Sequence, residues 1–311
     1  MLLQAFGLQR DPFADTADPA FYYETIANAS NRRRLFECLA TGRGLAVVLG
    51  PVGAGKTSLF NAVTARLLDD PRYLVGLILD PTFSDEADLL RAAIAALGFP
   101  ALAMTDSQPR ELREHLKRNL FEMTVEQQRQ AVLLIDEAQL LDERLLESLR
   151  VLLNFQLDER KLLSIGFAGQ AEIAAAILHR PNLSDRVATW LDIGPLTESE
   201  AAGLIDHRLR RAGFSGDRSP FNEHAVAEIW KRSGGLPRRL GALARESLEV
   251  AAERGAREVE IDDVRDAARR LPPTAPEPVR GYTLPVVEGL DEARAPRSSR
   301  RAWWHLWGTA R

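Results

Sequence analysis

The stretch LGPVGAGKTS, residues 49–58, decides the fold. Within it Gly50, Pro51, Val52, Gly53, Ala54, Gly55, Lys56 and Thr57 satisfy the spacing G-x-x-x-x-G-K-[ST], and Ser58 follows. The stretch stands after the apolar run GLAVV and before a helical pattern. Glycines remove Cβ atoms where the backbone must approach a ligand closely or take left-handed angles. Successive N–H groups then form a nest for an anion, reinforced by the N-terminus of the next helix. Lys56 is placed to reach the β- and γ-phosphates of a nucleotide, and the Thr57 hydroxyl to ligate Mg²⁺.

Working outward, short aliphatic runs at 45–49, 73–80, 131–136, 162–168 and 187–193 read as strands. They alternate with helical patterns at 55–68, 84–97, 109–127, 143–157 and 172–178. That alternation predicts an α/β fold, a five-stranded parallel sheet with helices on both faces. The helix at 84–97 opens on Ser84 and acidic residues, as a helix N-terminus prefers. After Pro195 the strand signals stop. Thr197 and Glu200 have capping-box spacing, Gly213 closes that helix, and further helices are expected at 223–231, 237–252 and 261–270. The predicted organisation is an α/β domain over 1–194, including an N-terminal segment at 1–25, and a small all-helical lid over 195–271. A proline-rich linker at 272–296 and a basic, Trp-rich tail at 297–311 complete it.

A second stretch bears on chemistry. AVLLIDEAQ, residues 131–139, is an apolar strand ending in two adjacent carboxylates. Strand C-termini of a parallel sheet open on one edge, where ligands bind. Asp136 is then expected to hold Mg²⁺, and Glu137 to orient and polarise an attacking water. A strand-end Asp alone would suffice for Mg²⁺, so the pair favours hydrolysis over binding alone. Gln170, in GFAGQAE, either senses the γ-phosphate or caps the next helix. Arg186, in NLSDRVATW, either reaches a neighbouring subunit's γ-phosphate as an arginine finger or makes a surface ion pair. Arg238, in GGLPRRLG, is placed to report the nucleotide to the helical part, with Arg239 beside it leaving the register open.

The bulk numbers narrow the class. With 45% hydrophobic and 27% charged residues the chain is ordinary for a globular protein. A net charge of −4 gives no global reason to bind nucleic acid. One cysteine, Cys38, excludes an internal disulfide, and the five histidines lack metal-ligand pairing. No run approaches the roughly 20 apolar residues of a membrane span. The opening MLLQAFGLQRDPF is too short and too soon acidic for a secretory signal. The expectation is a cytoplasmic protein, or one attached peripherally to the inner face of a membrane.

In these residues the chain resembles the AAA+ ATPases, and more narrowly the ExeA-type ATPases of the general secretion pathway A family. The opening FGLQRDPFADTADPAFYY (residues 6–23) is similar to that family's start. The phosphate loop, LLIDEAQLL, the GQ-x-E after the fourth strand, DHRLRRAGF and SGGLPRRL follow in the family's order, over about residues 1–270. The resemblance implies a P-loop NTPase fold, ATP and Mg²⁺ as cofactors, ATP hydrolysis, and a nucleotide-dependent homo-oligomer, ring or filament. It implies a protein client in a secretion, pilus or polysaccharide-export complex. A DNA-associated regulator of transposition or replication is the alternative, supported by the basic helix RELREHLKRN at 110–119. The tail sets Arg297, Arg300 and Arg301 before Trp303, Trp304 and Trp307. Its expected roles are peripheral contact with an anionic bilayer, or docking on this protein or a partner.

Overall fold

Every residue of the strands Leu45–Leu49 (β1) and Gln130–Ile135 (β3) is buried. Strands buried on both faces are the mark of a parallel sheet covered on each side. The computed structural model describes residues 2–14, 19–101, 108–157 and 160–272. These described residues belong to one compact unit. Pro272 apart, the linker and tail lie outside the described residues.

The other strands are Tyr73–Ile78 (β2), Gln156–Leu157 (β4), Arg160–Lys161 (β5), Leu163–Gly169 (β6) and Val187–Asp192 (β7). The main sheet runs β2-β3-β6-β1-β7, and every neighbouring pair is parallel. β4 and β5 form a separate two-stranded antiparallel hairpin. Each strand of the main sheet begins and ends within two residues of its sequence expectation.

Among the described residues, twelve helices surround or follow the sheet: Leu2–Ala5 (α1), Ile26–Ala40 (α2), Lys56–Leu68 (α3), Glu86–Ala96 (α4), Pro109–Phe121 (α5), Glu143–Leu152 (α6), Ala171–Leu178 (α7), Pro181–Ser184 (α8), Glu198–Arg211 (α9), Glu223–Ser233 (α10), Pro237–Glu253 (α11) and Ile261–Arg270 (α12). On one face of the sheet Leu35 and Leu39 of α2 and Phe60, Val63 and Leu67 of α3 pack over Ala46, Val48, Val132 and Leu134. Cys38 is buried there, and burial pushes its thiol up to about 11.

Three helices depart from expectation. The 84–97 helix is capped by Asp85, not Ser84, because the Asp85 carboxylate accepts from the Asp88 N–H at 3.0 Å. The 109–127 helix ends at Phe121, and its last turn widens into a π-turn over Glu122–Glu126. The 143–157 helix stops at Leu152, where the chain reverses into the β4–β5 hairpin. Lys161 Nζ donates to the Leu153 carbonyl at 3.1 Å and so satisfies an acceptor at that helix end.

The helical part has its own core, which draws on both ends of the chain. Leu2, Phe6, Leu8, Phe13 and Phe21 pack with Leu204, Ile205, Leu209, Ile229, Leu240, Leu248 and Val264. Residues of the 1–25 segment, assigned by sequence to the α/β domain, thus lie in the core of the helices that follow Pro195. The reason is local chemistry at the end of α9. The Gln9 N–H donates to the Ala212 carbonyl at 2.8 Å, and the Arg10 guanidinium donates to the Arg211 carbonyl at 3.3 Å. The segment therefore satisfies carbonyls that a helix C-terminus leaves open. Arg245 clamps Asp11 at 2.6 Å, and Phe13 meets Phe221 edge-on at 6.3 Å between ring centroids.

Candidate nucleotide site

The phosphate loop runs from the C-terminal end of β1 to the first turn of α3. Gly53 (φ 78°) and Gly55 (φ 103°) take left-handed backbone angles, which is why residues without Cβ stand there. Gly55 is the N-cap of α3, so the loop opens onto that helix's free N–H groups. Lys56 is 5% exposed, and its Nζ donates to the Gly50 and Pro51 carbonyls at 2.9 and 3.1 Å. Burial lowers its pKa, while Glu137 and Asp136 act to raise it and Arg238 to lower it. An ammonium in that setting favours an additional anionic partner.

β6 separates β1 from β3 in the sheet, yet their C-terminal ends converge. Thr57 Oγ1 donates to Asp136 Oδ2 at 2.5 Å, and Asp136 is 3% exposed. The other Asp136 oxygen accepts from the Glu137 N–H at 2.9 Å. Glu137 itself has left-handed backbone, φ 48°, rare for a residue with a Cβ. Such angles concentrate at functional sites, where the surrounding structure enforces them. Among the described residues no group of three or more His, Cys, Asp or Glu forms a metal cage. One hydroxyl and one carboxylate are the donor set Mg²⁺ takes from protein when phosphates and waters supply the rest. The residues present fit that ion.

Around this centre the remaining candidates divide. Gln170 is the N-cap residue of α7, but its side chain makes no cap hydrogen bond. Arg238 lies against the loop: its N–H donates to the Gly53 carbonyl at 3.3 Å, and a Cβ on Gly53 would stand 2.9 Å from Arg238 Cβ. The Arg238 backbone thus meets the loop. Arg186 lies elsewhere. Its carbonyl accepts from the Leu45 N–H at 3.0 Å, at the start of β1, whereas the loop follows Leu49. Four residues of strand, about 13 Å, separate that edge from the phosphate loop.

Two residues near the centre were not singled out from sequence. Glu172, in the first turn of α7, raises the Lys56 pKa and so faces the same charge. Gln139 lies in the turn Ala138–Leu140; its Nε2 donates to Glu137 Oε2 at 2.5 Å, and its Oε1 accepts from the Gln170 N–H at 3.2 Å. The available signal was a polar residue two positions after the carboxylate pair. The basic helix at 110–119, by contrast, is partly engaged within the protein. Arg113 pairs with Glu86 at 3.2 Å, and Lys117 sits 5.9 Å over the Phe155 ring.

Residues 39–177 match the AAA domain family AAA_22. General secretion pathway protein A of Aeromonas hydrophila is 30% identical over 276 residues, covering 86% of this chain and 48% of that protein. The chain thus spans about half the length of that relative. Among solved structures, Cdc6p from Pyrobaculum aerophilum superposes with a TM-score of 0.66 at 16% identity, over 81% of this chain and 70% of that one. The Aeropyrum pernix ORC1 protein, solved in complex with DNA, gives 0.61 at 19% identity, over 82% and 69%. At those identities the structural likeness speaks to fold. No described helix is long and apolar enough to cross a membrane. The chain has the P-loop AAA+ fold, and over most of its own length it resembles General secretion pathway protein A.

Proposed function

We propose that the chain binds MgATP and hydrolyses it, as an oligomeric switch or motor in assembling an envelope complex for secretion, pilus formation or polysaccharide export. The observation that carries the chemistry is the convergence of Lys56, Thr57, Asp136 and Glu137 at one sheet edge. In this reading residues 50–58 cradle the phosphates through loop N–H groups, and Lys56 exchanges the Gly50 and Pro51 carbonyls for phosphate oxygens. Thr57 and Asp136 hold Mg²⁺, which when bound neutralises charge on the phosphates. Glu137 takes a proton from the attacking water, and Gln170 contacts the γ-phosphate. Residues 26–194 act as the nucleotide-binding domain, and 195–271, with the 1–25 segment packed into their core, as the lid. Arg238, against Gly53, reports the nucleotide to that lid. The secretion role draws on the name of the relative, and a cytoplasmic or peripheral inner-membrane place accompanies it.

Arg186 lies one strand length from its own phosphate loop, which supports a role at a neighbour's site. A head-to-tail contact that places it there closes into a ring or continues as a filament. Mixing Arg186→Ala with Lys56→Ala subunits tests this by phosphate release. Recovered turnover in the mixture supports action in trans; none under assembling conditions contradicts it. Titration with duplex DNA at two salt concentrations tests the alternative, since phosphate contacts bring steep salt dependence.

A further inference from the structure

We propose that Gln139 is a positioning residue for Glu137, and that it ties the aim of that carboxylate to the backbone of Gln170. The inference rests on the ATPase reading above and adds to it a role for the last residue of the AVLLIDEAQ stretch.

The Gln139 amide is held at both ends by partners of opposite need. Its Nε2 donates to Glu137 Oε2 at 2.5 Å, and its Oε1 accepts from the Gln170 N–H at 3.2 Å. Turning the amide over would set oxygen against carboxylate oxygen and NH₂ against N–H, so the two partners together fix its orientation. The backbone on either side is fixed as well. Ala138 is fully buried, and the Leu140 N–H donates to the Glu137 carbonyl at 2.9 Å.

The amide also needs room, which the end of β6 leaves. A Cβ on Gly169 would stand 2.9 Å from Gln139 Oε1. The same Gly169 carbonyl accepts from the Gly50 N–H at 3.2 Å. One continuous path therefore runs from Glu137 through Gln139 to residues 169 and 170, and from there to the first residue of the phosphate loop. A shift of Gln170 on meeting a γ-phosphate is transmitted to Glu137 through the amide. Glu137 Oε1 has no hydrogen bond to protein among those described, and remains for a water.

The consequence is a split between binding and turnover. None of the loop groups that hold phosphate belongs to Gln139, so its loss leaves nucleotide affinity in place while Glu137 loses its aim. The test uses the full chain, with affinity read by titration of a fluorescent ATP analogue and turnover by phosphate release. For Gln139→Leu the expected result is affinity within about twofold of wild type and turnover at least about tenfold lower, part of the 10²–10⁴ that a positioned base supplies. Gln139→Glu has the same size but loses the NH₂ donor and sets oxygen against the Glu137 carboxylate, so turnover at least as low as in Gln139→Leu is expected. Wild-type turnover accompanied by unchanged turnover in Gln139→Leu or Gln139→Glu, or by a loss of affinity in Gln139→Leu as large as its loss of turnover, would overturn the positioning role alone. No phosphate release from the wild-type chain under assembling conditions would overturn the ATPase reading and this one with it.

Discussion

Two hydrophobic cores among the described residues are put together in opposite ways. The core on the α2–α3 face of the sheet draws on residues 35–193 with one outsider, Leu236. The helical core joins residues 2–21 to residues 196–267, so it closes only when the two ends of the compact unit meet. The difference separates chemistry from control. Lys56, Thr57, Asp136, Glu137, Gln139 and Gln170 all stand on the sheet side. The helical part sends Arg238 to the loop, and its position depends on an N-terminal segment packed into the same helical core. A change in that segment should act on the lid while leaving the phosphate loop's own geometry intact.

The largest expected effect is on the sheet side. Lys56→Ala should abolish saturable nucleotide binding, measured by titration of a fluorescent ATP analogue, with the fold retained by circular dichroism. Wild-type affinity in that variant would detach the chemistry from the loop. On the helical side Phe13→Ala removes a side chain 4% exposed and packed edge-on against Phe221. A loss of about 3–5 kcal/mol in denaturant unfolding is expected. A loss under about 1 kcal/mol would show that the segment adds little to the helical core. Thr197→Ala breaks the capping box in which the Glu200 N–H donates to Thr197 Oγ1 at 3.3 Å, and should cost about 1 kcal/mol. Smallest is Arg245→Met, which removes the half-exposed ion pair to Asp11; less than about 1 kcal/mol is expected. A larger loss there would make the clamp, and not the apolar packing, the main attachment of the segment.

What could be read from sequence follows the same division. The phosphate loop and the Asp136–Glu137 pair are legible because their chemistry is contiguous, and the strands because they are short apolar runs. α2 escaped because only Leu35, Cys38 and Leu39 of its fifteen residues are buried, so its i, i+3, i+4 stripe covers little more than one turn near the C-terminal end. The 1–25 segment carries aromatic residues without a period, and its partners lie some two hundred positions away, as in the contact from Arg10 to Arg211. The end of α6 was missed because leucines continue past Leu152 while the chain has already turned back. Gln139 stood in the quoted motif, but its partners are fixed by the turn after β3 and by the end of β6. Neither is a property of local sequence.

The central claim is hydrolysis at the Glu137 edge, and Glu137→Gln tests it most directly. The substitution keeps size and a hydrogen-bonding side chain and removes the base. Measured side by side with wild type under assembling conditions, the variant should bind the ATP analogue with near wild-type affinity and release phosphate about 10²–10⁴-fold more slowly. Phosphate release at the wild-type rate from the Glu137→Gln chain would contradict the account.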